Sequence, residues 1–446
     1  TIASSVTAGQ DVTLNSTGSG IFGSGLISAD HVSANAASSI SLNLAADSLD
    51  ATSTGGSVTV TDTGDLELGT VTTTGSEESV SVTASGNLTV NTSVTATDGI
   101  RLTGVNLQLN GSVTDPTRVT LTATAGNIAG DGLVTANAVV ASATGSVNLN
   151  VSANSVNVTS GDDLVITADS AIDLPSLAVT GNLSITANGA ITDSGNLTIT
   201  GTTTLAAGAA NDITLDNANN FGGAVSITSA DDVVLNDTGA IALGASQISG
   251  NLAATANGTI TQTGALNVAG TTALAAGAAN AITLPELNTF GGAVSIASGR
   301  DVTIQANGGI DLGDSTVSGN LSVTAIAGIT DSGNIAVSGA AFLSSGCESM
   351  TLGDSSVLSL TGPVTLVSNR DITLNVSGDL DLVTAGVGGN LAITGSGNLS
   401  SSGAVTVGGN SSLTVGSTKN ITLTQANDFT GPVSLSSLDA SLNDTS

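Results

Sequence analysis

One pattern, returning four times at a near-constant step, constrains this chain more than any other feature. The tripeptide Gly-Asn-Leu begins at Gly181, Gly250, Gly319 and Gly389, so the step is 69, 69 and 70 residues. Longer segments align around it: DDLVITADSAIDLPSLAVTGNLSITA from Asp162, DDVVLNDTGAIALGASQISGNLAATA from Asp231, RDVTIQANGGIDLGDSTVSGNLSVTA from Arg300 and RDITLNVSGDLDLVTAGVGGNLAITG from Arg370. A second block keeps the step, with Phe221, Phe290, Leu360 and Phe429 each four residues before Val225, Val294, Val364 and Val433. Self-similarity of this length marks an array of stacked units, because each unit buries its apolar face only against its neighbours.

Within a unit the apolar residues alternate with polar ones in short runs such as NLSIT, NLTIT, DITL, AVSI and DVVL. A period of two is the mark of a half-buried strand. Leu164 and Ile166 are expected inward and Val165 and Thr167 outward, with Val233/Leu235, Val302/Ile304 and Ile372/Leu374 in the same register. Helix is disfavoured: β-branched residues dominate, and Gly, Asn, Asp and Ser interrupt the pattern every few residues. About nine runs per unit predict a right-handed parallel β-helix, an all-β solenoid with about three strands per coil and a super-repeat of three coils. Coils of roughly 20 to 29 residues would give some 19 coils over about 90 Å. The middle coil is expected to bulge at one corner, where DNANNFGG and PELNTFGG carry Phe221 and Phe290. Residues 1–155 show the same grammar in degenerate form, and residues 156–446 carry the clean super-repeat. No linker separates them, so one continuous solenoid is expected.

Composition fits a thin aliphatic core: 40% of residues are hydrophobic, yet there is no Trp, no Tyr and only five Phe. Thirty-five acidic residues face five basic ones, for a net charge of −30. Nucleic-acid binding needs Lys and Arg against phosphate, which this balance opposes, as it opposes anionic membranes. No apolar run approaches the roughly 18 residues of a membrane helix. The chain starts at Thr1 and stops inside a repeat-like pattern, and it reads as part of something longer.

The GNLSITANGAITDSGNLTITG run from Gly181 and its partner GNLAATANGTITQTGALNVAG from Gly250 resemble the β-helical filamentous-haemagglutinin-like exoproteins and β-strand-repeat surface proteins of bacteria. That resemblance implies a secreted bacterial protein at the cell surface or outside the cell, with an adhesive or fibrous role. The function expected is the structural rod of an extracellular fibre or large adhesin. It would hold partners at a distance, assemble end to end or adjoin further segments of a longer chain, and touch a host or neighbouring-cell surface. The alternative is a binding module that uses one face of the solenoid for glycan or ice.

No catalytic constellation is expected. The basic residues Arg101, Arg118, Arg300, Arg370 and Lys419 are scattered, and the single histidine, His31, is read as an exposed loop residue. Arg300 and Arg370 share a repeat position and are placed three coils, about 14 Å, apart. Asp163, Asp232, Asp301 and Asp371 recur at one position. Carboxylates in turns suit calcium, and these four are the metal candidates; no other cofactor is expected. Their second reading is structural, each starting a strand by accepting corner amides. Cys347 stands where other repeats have Ala209 and Ala278, and is expected as a small space-filling residue. Outward threonines suggest an ice-ordering grid, but the matched positions read Ser184-Thr186, Ala253-Thr255, Ser322-Thr324 and Ala392-Thr394, so one column is only partly kept.

Overall fold

A computed structural model describes residues 1–445. Strands run from 2 to 16 residues and every paired strand is parallel to its partner. They stack as a β-solenoid of about 22 turns, with no helix among the described residues. The chain divides into two compact units, Thr1–Gly223 and a second from Ala224 onward. The expected register holds in both. Leu164 and Ile166 are fully buried while Val165 is 39% exposed, and the equivalent pairs from Val233, Val302 and Ile372 are buried in the same way.

Three legs make a turn. In the second unit Val233–Asp237, Ile241–Leu243 and Ser246–Ile248 are followed by Leu252–Ala256, Ile260–Gln262 and Leu266–Val268, each lying on the leg one turn earlier. Rungs of such a ladder are about 4.8 Å apart, so inward Val, Ile and Leu touch their counterparts above and below. Each fully buried aliphatic side chain contributes about 1.5–3 kcal/mol. That gain exists only while the neighbouring turns cover it.

The repeat differs from expectation in one consequential respect. From Val233 to the next copy at Val302 the chain lays down nine strands, but Ile282–Phe290 bends and serves two faces, which makes ten legs. Ten legs on three faces are three turns and one further leg. The repeat therefore does not return to its own face. Val233 stands in the column Val233–Leu252–Thr272–Val294. Its equivalent Val302 stands in the column that holds Ile241, Ile260, Ile282, Leu321 and Ala341. The next equivalent, Ile372, stands in a third, with Ile310, Ile329, Met350 and Leu391. Three equivalent residues thus occupy three faces. Turns sit at the short end of the expected range, with corner-to-corner spans of 19 or 20 residues, and 22 at the bend.

The bend falls where a bulge was expected. The register slips between Leu284 and Asn288, and again between Leu423 and Asn427 in the last repeat. Asn288 is fully buried there. Its Oδ1 accepts the Leu266 N–H at 2.8 Å, and its Nδ2 donates to the Glu286 carbonyl at 2.8 Å and the Gln305 carbonyl at 3.1 Å. Asn427 repeats the arrangement, accepting from Val405 N–H at 2.9 Å and donating to the Leu423 and Asn443 carbonyls. A side-chain amide is suited to this work, since it supplies both donor and acceptor where the ladder breaks. Phe221, Phe290 and Phe429 close the bend from inside, each at most 9% exposed.

Candidate functional surfaces

The four repeated aspartates are structural corner residues in this geometry. Asp232 Oδ1 accepts the Asn251 N–H at 2.7 Å and its Nδ2 at 2.9 Å; Asn251 Oδ1 in turn accepts the Thr271 N–H at 2.8 Å and its hydroxyl at 2.7 Å. Asp163, Asn182 and Thr202 repeat this stack in the first unit. Asp301 holds the Asn320 N–H at 3.0 Å, and Asp371 holds that of Asn390 at 2.6 Å. The Asn320 amide and then the Arg300 guanidinium, 2.8 Å away, keep the Asp301 carboxyl below the usual range. Because the repeat rotates, Asp232, Asp301 and Asp371 stand at three different corners. The structure does not bring them together, and neither are Arg300 and Arg370 stacked along one edge. Among the described residues no group of three or more His, Cys, Asp and Glu is placed to hold a metal ion.

The same stacks explain why glycine precedes each Asn. A Cβ on Gly250 would lie 2.3 Å from Asp232 Oδ1, and one on Gly389 would lie 2.2 Å from Asp371 Oδ1 and 2.8 Å from the Arg370 backbone. Carboxylate and glycine are one device, separated by one turn.

Two single residues sit differently from expectation. Cys347 is exposed, as are Ala209 and Ala278, so this position is an outward turn and no space is filled there. Its N–H donates to the Ile326 carbonyl and its carbonyl accepts Arg370 Nε at 3.3 Å. His31 lies on the strand Ile21–Ala36, half-buried, and not in a loop. Its Nδ1 is 2.9 Å from Ser48 Oγ and its Nε2 is 3.5 Å from Asp50 Oδ2. Asp50 Oδ1 also accepts the Thr70 N–H at 2.5 Å. The trio therefore clips three successive turns together.

The most regular surface lies where the sequence looked degenerate. Between residues 58 and 159 a four-residue pattern recurs once per turn: VTVT from Val58, VSVT from Val80, IRLT from Ile100, VTLT from Val119, VVAS from Val139 and VNVT from Val156. Its first and third residues are buried. Its last residues, Thr61, Thr83, Thr103, Thr122, Ser142 and Thr159, form one column of hydroxyl-bearing residues on one face, in which the Thr103 hydroxyl itself is shielded from solvent. The column before it contains Thr59, Ser81, Arg101 and Thr120. By contrast, the threonines matched through the 69-residue step, Thr255, Thr324 and Thr394, lie in three separate ladders. Alignment at 69 residues hides the first face; alignment at the length of one turn would have exposed it.

Beside that face runs a corner ladder of unusual length. Asp65 Oδ1 accepts the Asn87 N–H, Asn106 Nδ2 donates to Asn87 Oδ1, Asn106 Oδ1 accepts the Asn127 N–H, and Asn127 Oδ1 accepts the Ser146 N–H, all at 2.6–2.9 Å. On the same turns an open cleft of about 300 Å³ is lined by Ser79, Ser81, Gly99, Arg101, Arg118 and Thr120. Fully buried Asp115 fixes its edge by accepting the backbone N–H groups of Gly99 at 2.7 Å, Thr117 at 2.7 Å and Arg118 at 2.8 Å. Burial opposes the Asp115 charge, but these bonds and that of the Thr117 hydroxyl outweigh it and hold its pKa below the ordinary aspartate value.

Parallel legs, an aliphatic interior and corners tied by side-chain ladders define a β-helical repeat protein, a scaffold built by stacking. The family model described as Repeats of unknown function (DUF5649) matches residues 161–228, 230–297, 299–367 and 369–436, well over half of the chain, and the chain belongs to that family. Each match opens two residues before the corner aspartate, at Asp163, Asp232, Asp301 or Asp371. No curated protein and no solved structure matches the chain.

Proposed function

We propose that this chain is a structural spacer of an extracellular fibre or large surface adhesin, as its resemblance to β-helical exoproteins implies. The observation that carries the reading is the construction itself. Within each unit every turn is hydrogen-bonded to the turn before and the turn after through parallel ladders. Such a body gains length by adding turns without enlarging its core, and it resists local opening because each leg is clamped on two sides. The net charge of −30 gives it a solvated, self-repelling exterior suited to standing in water. Self-association or a continuing chain would extend it further.

Location and accessibility test this directly. Intact producing cells are treated with a protease that cannot enter them, and the chain is followed with an antibody raised against it. Cleavage on intact cells, or recovery of the chain from the medium, supports the reading. A chain found only inside, and protected until the cells are lysed, overturns it.

A further inference from the structure

We propose that the cleft between Arg101 and Arg118 binds a carboxylated sugar. The chain has five basic residues against thirty-five acidic ones, and two of the five line this one cleft. Counter-ions are abundant on such a surface, yet neither arginine makes an ion pair among the described residues. Arg300, by comparison, is paired with Asp301 at 2.8 Å. Both cleft arginines are exposed and they sit on adjacent turns. Arg101 is held between Ser81 on one side and Thr120 on the other. Arg118 opens the next strand, Arg118–Ala123, above the turn at Gly99.

The site is built, because Asp115 ties the backbone of Arg118 to that of Gly99 and so fixes the start of one arginine over the turn that precedes the other. The Asp115 carboxylate is spent on those amides and is turned into the wall. Two planar guanidinium groups lining one cleft from neighbouring turns suit the paired oxygens of a carboxylate.

The rest of the lining selects the kind of carboxylate. Ser79, Ser81 and Thr120 present hydroxyls, and Thr83 and Thr122 continue them along the same face. These are partners for the hydroxyls of a sugar ring. No aromatic residue lines the cleft, so recognition is by charge and hydrogen bonds and not by stacking. The surrounding charge of −30 repels long polyanions, which favours one acidic ring in an otherwise neutral glycan.

The test is a titration of the full chain with methyl glucuronoside, followed by saturation-transfer NMR and calorimetry, with methyl glucoside, N-acetylaspartate and inorganic phosphate as separate probes. The expected result is binding of the uronoside with a Kd of about 1 mM. The neutral sugar should bind at least about tenfold more weakly, as should the Arg101→Ala and Arg118→Ala variants, and Arg118→Lys should restore only part of the loss because it lacks the fork. Circular dichroism unchanged from the parent confirms that these exposed substitutions leave the fold intact. Absence of uronoside binding overturns the proposal, as does equal binding by the Arg101→Ala/Arg118→Ala double variant. Equal affinity for N-acetylaspartate or phosphate overturns the assignment to a sugar.

Discussion

Residues 58–159 and the four family repeats are made of the same legs and corners, yet they distribute their chemistry in opposite ways. In the first stretch the recurring pattern is one turn long, so every copy falls on the same face. Six hydroxyl-bearing residues form one column there, and a corner ladder runs unbroken from Asp65 to Ser146. In the repeats the recurring pattern is three turns and one leg, so each copy falls on the next face, as the separate columns of Val233, Val302 and Ile372 show. A strict sequence repeat therefore produces an unsided surface, while a loose one produces a sided surface. Regularity of sequence and regularity of surface are separate properties in a solenoid, linked through the number of legs per repeat.

The largest test of this contrast removes the extra leg. Asn288→Ala leaves the Leu266 N–H and the carbonyls that Asn288 serves without partners, and it is expected to cost about 3 kcal/mol. Since solenoid stability is shared among neighbours, amide hydrogen exchange is the suitable measure. Protection should fall on the turns around residues 262–306 and remain unchanged beyond them. Uniform loss across the whole chain would show that the bend is not a local device.

Next in size is the corner glycine. Gly389→Ala places a Cβ against both the Asp371 carboxylate and the Arg370 backbone, and about 2 kcal/mol of destabilisation is expected. Gly378, on the same turn as Asp371, has open space around it, but its φ of 103° strains any side chain, so it is no neutral control. Gly386, with open space and no such backbone, is the control, and Gly386→Ala should change the denaturation midpoint little. Equal effects at Gly386 and Gly389 would remove the carboxylate–glycine explanation of the Gly-Asn-Leu motif.

The sided region has its own anchor in Asp115. Asp115→Asn keeps the shape but loses acceptor capacity, and it is expected to cost about 1.5 kcal/mol at pH 7. The folded pKa of Asp115 is lowered, so its stabilisation is present above the unfolded value of 3.8 and is lost as pH falls through the folded one. Parent and variant should therefore differ at pH 7 and converge toward pH 2 in denaturant unfolding. A gap that stays constant with pH would mean that the charge contributes nothing.

The smallest effect has the opposite sign. Thr203 and Thr272 are equivalent, fully buried, and their hydroxyls have no hydrogen-bond partner. The next repeat carries Ala341 at this place. Thr272→Val keeps the shape and removes the unsatisfied hydroxyl, for a gain of about 1 kcal/mol read from thermal unfolding. A loss of stability would indicate that the hydroxyl is satisfied in solution.

Alternation in runs such as Leu164–Ala168 was enough to read the strands, the inward residues and the parallel stack, because a period of two admits only one burial pattern. The bulge at Phe221 and Phe290 was legible too. The leg count was not, because Ile282–Phe290 looks like one strand until Asn288 is seen to turn it. That single leg decides which face every later residue occupies, and so the aspartates and threonines aligned by sequence were placed on one edge that does not exist. The setting of His31 has no signal in the linear order either, since its partners Ser48 and Asp50 are one turn away and meet it only through stacking. The arginine cleft has no signal at all in the linear order, since Arg101 and Arg118 become neighbours only through the stacking of two turns.

The rotating repeat also sets what kind of partner could read it. A flat object laid along the second unit would meet any given repeat feature once, then find the following copy already carried round the side. A ligand that winds as it travels could follow them all. Whatever engages this array through its repeated corners is therefore better imagined as a cord wrapped about a post than as a plank leaned against it.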